Sequence, residues 1–167
     1  MSNHFKIIVP FYNVEEWIKV CIRSVKLQDY KDFQCVLIDD ISTDSSAEIV
    51  EQEIAGDDRF VLVRNTEKAY ALKNIYDAIS LSEPHEEDVI VTLDGDDWLA
   101  NKGVLNKLND VYIQSGCWLT YGSYAEYPNG VRGKFAKQIP SHVVNSNLYR
   151  DSEWCSSHLR TFKPLLW

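Results

Sequence analysis

The sequence predicts an α/β fold: a mostly parallel central sheet with helices on both faces. Three observations carry this. Short, nearly all-apolar runs recur at residues 5–10, 33–38, 60–63 and 89–93, the pattern of strands covered on both sides. Segments with apolar residues three and four positions apart separate them, giving strand, helix, strand, helix, strand, helix, strand. Three of the four runs end in polar residues, and open sheets of this kind gather ligands beyond the carboxyl ends of their strands.

Phe5 to Pro10 (FKIIVP) is the first strand. Val14, Trp17, Ile18, Cys21, Ile22 and Val25 then form the stripe of an amphipathic helix, with Asn13 as its expected N-cap. Phe33 to Ile38 is a second strand, ending in Asp39 and Asp40. Ser42-Thr43-Asp44 opens a second helix, and Ser45 and Glu48 at capping-box spacing let its start lie a residue or two either way. Phe60 to Val63 is the third strand, a helix follows over Ala69 to Leu81, and Val89 to Leu93 is the fourth strand. Beyond Trp98, Leu105, Leu108, Val111 and Tyr112 mark another helix. Trp118 to Tyr127 is expected as one strand, with a hairpin turn at Pro128-Asn129-Gly130. Residues 131–147 are polar and irregular, and Glu153 to Lys163 shows little apolar periodicity.

At 167 residues the chain is long enough for one domain, residues 1–167, with a proper core. A net charge of -8 and the lack of any Lys/Arg block argue against a general nucleic-acid binder. Glu51, Glu53, Asp57, Asp58, Glu86 and Glu87 are expected on solvated surface. Cys21, Cys35, Cys117 and Cys155 contain no C-x-x-C pair and no zinc spacing. Buried reduced thiols are the simpler reading and fit a reducing compartment. The N-terminus has no signal-peptide pattern, and no apolar run approaches a bilayer span. A cytoplasmic location is expected, peripheral to a membrane only through an acceptor or through sequence outside this chain.

The fourth strand delivers three carboxylates within four residues: Asp94, Asp96 and Asp97, with Gly95 between. Such a group repels itself unless a cation or several donors neutralise it. A hard divalent ion such as Mn2+ or Mg2+ takes oxygen ligands and bridges to phosphates. The motif therefore points to a metal-dependent site for a phosphate-bearing ligand. An Asp/Gly-rich turn facing water is the bland alternative.

Ile7-Ile-Val-Pro-Phe-Tyr-Asn13, Val36-Leu-Ile-Asp-Asp-Ile-Ser-Thr-Asp44 and Leu93-Asp-Gly-Asp-Asp-Trp-Leu99 together resemble family 2 glycosyltransferases of the Rossmann-like GT-A fold. The likeness covers residues 5–125 and returns at Ser157-His-Leu-Arg-Thr-Phe-Lys163. It implies transfer of a sugar from a nucleotide-diphosphate donor to the hydroxyl of a saccharide or other acceptor, with Mn2+ or Mg2+. A UDP-sugar is the first donor expected. The resemblance implies that Pro10, Tyr12 and Asn13 pack around the base, with Asp39 contacting it and Asp40 beside it. It also implies that Lys73, beside Asn74, is the cation near the donor, and that Asp94 and Gly95 face ribose and sugar. Asp96 would be the principal metal ligand, with Asp97 next to it. His158 is a separate candidate to approach the metal or diphosphate from the far side, and is otherwise a structural or surface residue.

The chain departs from the family pattern in places. Ile41 stands where Gly is common, and Tyr76 near a position that is usually small. The family carries a Glu-Asp pair, whose Asp is the catalytic base, after the segment matching His158 to Trp167. This chain ends at Trp167, before that point, so the expectation is a fragment or a short divergent form. Asp151 and Glu153 are the late carboxylates available to replace the base, each otherwise a surface residue. Arg160 is a candidate phosphate or acceptor contact, and Trp118, Trp154 and Trp167 form either a sugar platform or packing. A nucleotide-sugar-binding module with little or no transfer is the rival function. A phosphatase or nucleotidyltransferase using Asp94-Gly-Asp96 is a third reading; a phosphatase with an aspartyl nucleophile would want its D-x-D on the first strand.

Overall fold

In the computed structural model, which describes residues 2–135, 137–154 and 156–167, strand and helix alternate as expected through the first half. The elements are β1 (Phe5–Phe11), α1 (Ile18–Lys26), β2 (Phe33–Asp39), α2 (Ser46–Ile54), β3 (Phe60–Arg64), α3 (Tyr70–Leu81) and β4 (Val89–Thr92). The second half adds α4 (Val104–Ser115), β5 (Leu119–Gly122), β6 (Ala125–Glu126), β7 (Val131–Arg132), α5 (Ser141–Ser146) and β8 (Ser157–Phe162). A 3-10 turn over Pro164–Leu166 follows.

Six strands form one sheet in the order β3-β2-β1-β4-β8-β5. β1, β2, β3 and β4 are parallel, with Phe5 opposite both Phe33 and Val89. β8 runs antiparallel between β4 and β5. Successive strand side chains point to opposite faces, and the core divides accordingly. Phe5, Ile7, Val9, Cys35, Leu37, Val89 and Val91 pack on one face with Ile18, Cys21, Ile22 and Val25 of α1, Val50 of α2 and Leu105 of α4. Ile8, Val36, Ile38 and Ile90 pack on the other with Ala78 and Ile79 of α3. Among the described residues no helix is long and apolar enough to cross a membrane.

Several expectations are corrected. Asn13 does not cap the first helix, which begins at Ile18 after Trp17. Asn13 is left-handed (φ 51°), and its Oδ1 accepts the Thr43 backbone N–H at 2.8 Å, tying the β1 end to the β2 end. The second helix starts at Ser46 with Ser45 at its N-cap, within the expected range, but Ser45 makes no side-chain cap bond. Asp44 accepts from the Ser46 N–H at 3.0 Å and the Glu15 N–H at 3.1 Å, so this carboxylate organises the start of both helices. Trp118 to Tyr127 is two strands, because β6 leaves the sheet and pairs with β7 across the expected turn at 128–130. Residues 131–147 contain β7 and α5.

Glu153 to Lys163 holds a central strand, β8, instead of aperiodic chain. Its inward residues are small and polar: buried Thr161 shares its hydroxyl with Tyr112 Oη (2.7 Å) and Thr120 Oγ1 (2.6 Å). Glu53 and Asp57 are half-buried and ion-paired with Arg23 and Arg59, where solvated positions were expected. Cys21 and Cys35 are fully buried free thiols as expected, while Cys155 lies outside the described residues.

Candidate active site

β4 ends beside β1, and the turn that follows is pressed against the β1 end. The Gly95 N–H meets the Pro10 carbonyl at 3.3 Å. A Cβ on Gly95 would lie 2.6 Å from Phe11 Cβ, so only glycine allows this approach. The turn holds Asp94 and Asp97 half-buried and leaves Asp96 exposed. β8, antiparallel to β4 with Thr92 opposite Arg160, carries His158 to the same rim.

His158 Nε2 is 3.2 Å from Asp94 Oδ2, and Nδ1 is 3.7 Å from Asp97 Oδ2. Asp94, Asp97 and His158 each offer one ligating atom, all within 4.8 Å of one another. The Asp94 hydrogen bond raises the His158 pKa against the opposing effect of burial. The same bond holds Asp94 below the usual carboxylate range. Burial pushes Asp97 up, with the Asp96 and Asp94 charges adding to it and His158 opposing. Close carboxylates joined by an imidazole match the oxygen- and nitrogen-donor chemistry of a divalent cation.

A second polar group lies where β1, β2 and β3 end. Asp39 and Asp40 are both buried. Asp39 Oδ1 accepts the Ser42 N–H at 2.9 Å. Asp40 accepts from Ala69 N (2.8 Å), Tyr70 N (3.0 Å) and Asn65 Nδ2 (3.0 Å), with Lys68 Nζ at 3.4 Å. Burial alone would raise the Asp40 pKa, but bonds from Ala69, the Asn65 and Asn74 side chains and Tyr70 bring it down to about 2. Lys68 Nζ also stands 2.9 Å from the centroid of the exposed Tyr12 ring, a cation–π contact. A cavity of about 750 Å³ opens on the far side of the turn, along Asp96, Asp97 and His158.

The sequence matches the model of glycosyl transferase family 2 over residues 6–159. The chain belongs to this family. It is 36% identical over 121 residues to an uncharacterized glycosyltransferase of Haemophilus influenzae, covering 71% of this chain and 46% of that protein. It is 36% identical over 115 residues to the teichoic acid poly(glycerol phosphate) polymerase of Staphylococcus epidermidis, covering 65% of this chain and 15% of that protein. The chain thus spans less than half the length of either relative. The fold is that of S. aureus TarS 1-349 in complex with UDP-GlcNAc, at a TM-score of 0.72 and 20% identity, over 96% of this chain and 45% of that one. It is also that of the Pyrobaculum calidifontis mannosyltransferase PcManGT in complex with GDP-Man and Mn2+, at a TM-score of 0.65 and 18% identity, over 99% of this chain and 46% of that one.

Within this family member, the residues singled out in the sequence fall in five places. Asp94, Asp97 and His158 converge, while Asp96 lines the neighbouring cavity and lies outside that three-residue group. Pro10, Tyr12, Asn13, Asp39, Asp40 and Gly95 sit at the β1 and β2 ends, with Asp40 occupied in anchoring the chain that enters α3. Lys73 is exposed and pairs with Asp77 at 2.7 Å, one helical turn away. Asp151 and Glu153 line a separate hollow with His142 and Leu148. Trp118, Trp154 and Trp167 are exposed; Trp167 stacks on Phe162, and Arg160 lies over Trp154.

Lys68 and Asn65 escaped the sequence reading. Asn65 directly follows β3, so the rule that strand ends carry ligands could have found it. Lys68 has no such signal; only the fold puts it above Tyr12.

Proposed function

We propose that this chain binds a nucleotide-diphosphate sugar and acts in a metal-dependent, inverting glycosyl transfer to an acceptor hydroxyl. The convergence of Asp94, Asp97 and His158 at the carboxyl edge of the sheet is the observation that carries this reading. Those residues would hold the cation; the mixed carboxylate and imidazole set suits Mn2+ better than Mg2+. When bound, it offsets the negative charge that develops on the leaving diphosphate. Tyr12 offers a face for the base and Lys68 a positive charge beside it. In the transfer, the acceptor oxygen forms a bond to the anomeric carbon as the bond to the diphosphate oxygen breaks. That electron pair leaves on the diphosphate, and the acceptor proton passes to a base.

A UDP-sugar is the first donor to test, because the TarS structure that shares this fold holds UDP-GlcNAc; GDP-sugars come second, after the mannosyltransferase complex. Reduced, buried Cys21 and Cys35 support a cytoplasmic setting.

The alternative, a donor-binding module without transfer, is favoured by one observation. Neither candidate base, Asp151 nor Glu153, lines the cavity beside the cluster. Incubating the chain with Mn2+, a bound donor and a mixture of saccharide acceptors separates the two. Release of free nucleoside diphosphate with a new glycoside supports transfer. Donor binding without either product supports the module.

A further inference from the structure

We propose that the cavity on the α1–α4 side of the Asp94–Trp98 turn is a saccharide subsite that seats the acceptor. The proposal rests on the transferase reading but adds a site to it. Trp17 and Trp98 stack with centroids 6.1 Å apart and planes at 19°. Tyr127, from the β6–β7 connection, meets both edge-on at 5.7 and 5.5 Å. All three rings line the cavity. They are not core residues: Trp17 and Trp98 stay partly exposed, and Tyr127 is 67% exposed.

The rest of the wall is chemically distinct. Asp96, Asp97 and Glu126 put carboxylates on it, and His158 joins it to the clustered ligands. Tyr124 packs edge-on against His158 at 6.2 Å, so the hairpin carrying Tyr127 is anchored to that cluster. Apolar rings beside carboxylates suit a sugar, whose C–H face lies on an aromatic ring while its hydroxyls donate to carboxylate oxygens. A volume of about 750 Å³ lies within the range that encloses whole small ligands. An acceptor here would reach the donor from across the carboxylate turn, opposite Tyr12 and Lys68. Exposed Asp96, which is outside the three-residue cluster, faces this side.

The test is saturation-transfer NMR on the full chain with cellobiose, lactose, maltose and chitobiose as probes and glycerol, a polyol without a ring face, as control. Donor binding is followed separately by thermal shift with UDP-GlcNAc and Mn2+. At least one disaccharide should be saturated at its ring C–H protons, and glycerol should not. Trp98→Ala and Tyr127→Ala should each weaken that binding about three- to ten-fold. Exposed Tyr127 is the safe variant should Trp98→Ala fail to fold. Bound UDP-GlcNAc with no disaccharide signal overturns the subsite and leaves the donor reading standing. Disaccharide signals unchanged in Tyr127→Ala overturn it too. Disaccharide binding that needs Tyr127, in a protein that binds no nucleotide sugar, keeps the subsite and refutes the donor reading.

Discussion

His158 Nε2 stands 3.2 Å from Asp94 Oδ2 although the two residues are 64 positions apart. β8 makes this possible by pairing antiparallel with β4. The late strand is therefore part of the candidate site, because it supplies the imidazole of the three-residue cluster. Replacing His158 by Ala or Asp94 by Asn should weaken Mn2+ binding by at least about ten-fold, read by titration calorimetry. Lys73→Ala, on the exposed face of α3, should leave it unchanged.

The same pair sets a pH dependence in metal-free protein. The His158 pKa is raised on folding, so its contribution is complete below about pH 6.5 and fades as pH rises through the folded value. The Asp94 pKa is lowered, so its contribution is complete above about pH 4 and fades as pH falls through the folded value. The stability gap between wild type and Asp94→Asn should be widest between these limits and narrow on both sides. Urea unfolding across that pH range checks it.

Gly122 lies under the backbone of β8. A Cβ there would be 2.7 Å from Leu159 N and 2.8 Å from His158 O. Backbone cannot yield as a side-chain tip can, so Gly122→Ala should cost about 1–3 kcal/mol and displace His158. Loss of Mn2+ affinity together with the stability loss is the expected signature. A variant destabilised with unaltered Mn2+ affinity would show that β5 does not position His158.

Ile41 follows the Asp39–Asp40 pair with φ 63°, a left-handed conformation that disfavours a β-branched residue. The resemblance to the family makes this a position where Gly is common. Ile41→Gly should raise stability by about 0.5–1 kcal/mol, relief of strain outweighing the chain entropy of glycine. Denaturant midpoints decide the sign.

Lys68 and Lys73 separate two accounts of the donor cation. Lys68 bridges Asp40 and Tyr12, whereas Lys73 is paired with Asp77. Lys68→Ala should weaken nucleotide-sugar binding about five- to ten-fold, and Lys73→Ala less than two-fold by roughly the same charge-removal scale. Equal losses would return Lys73 to the site.

The parallel half of the fold was legible because its strands are buried on both faces and its helices carry apolar stripes; both patterns are written in side-chain type. β8 was not legible, since its buried positions are Ser157 and Thr161, satisfied by hydrogen bonds instead of apolar contact. Asn13 does not cap α1 because it serves the contact between the β1 and β2 ends: Ser42 Oγ accepts its N–H, and its Oδ1 accepts the Thr43 N–H. The carboxylates of the site were visible as strand ends. Which of them cluster was not, because the turn at Gly95 decides that Asp97, and not Asp96, meets His158.

The most direct test of the central claim is the thermal shift of the chain with UDP-GlcNAc, with and without Mn2+, in wild type and in Asp97→Asn. Donor at about one hundred times its dissociation constant should add roughly 2.7 kcal/mol of stability. The expected result is a shift that requires Mn2+ and is lost in Asp97→Asn. A donor shift of the same size without Mn2+, or one retained in Asp97→Asn, would contradict it.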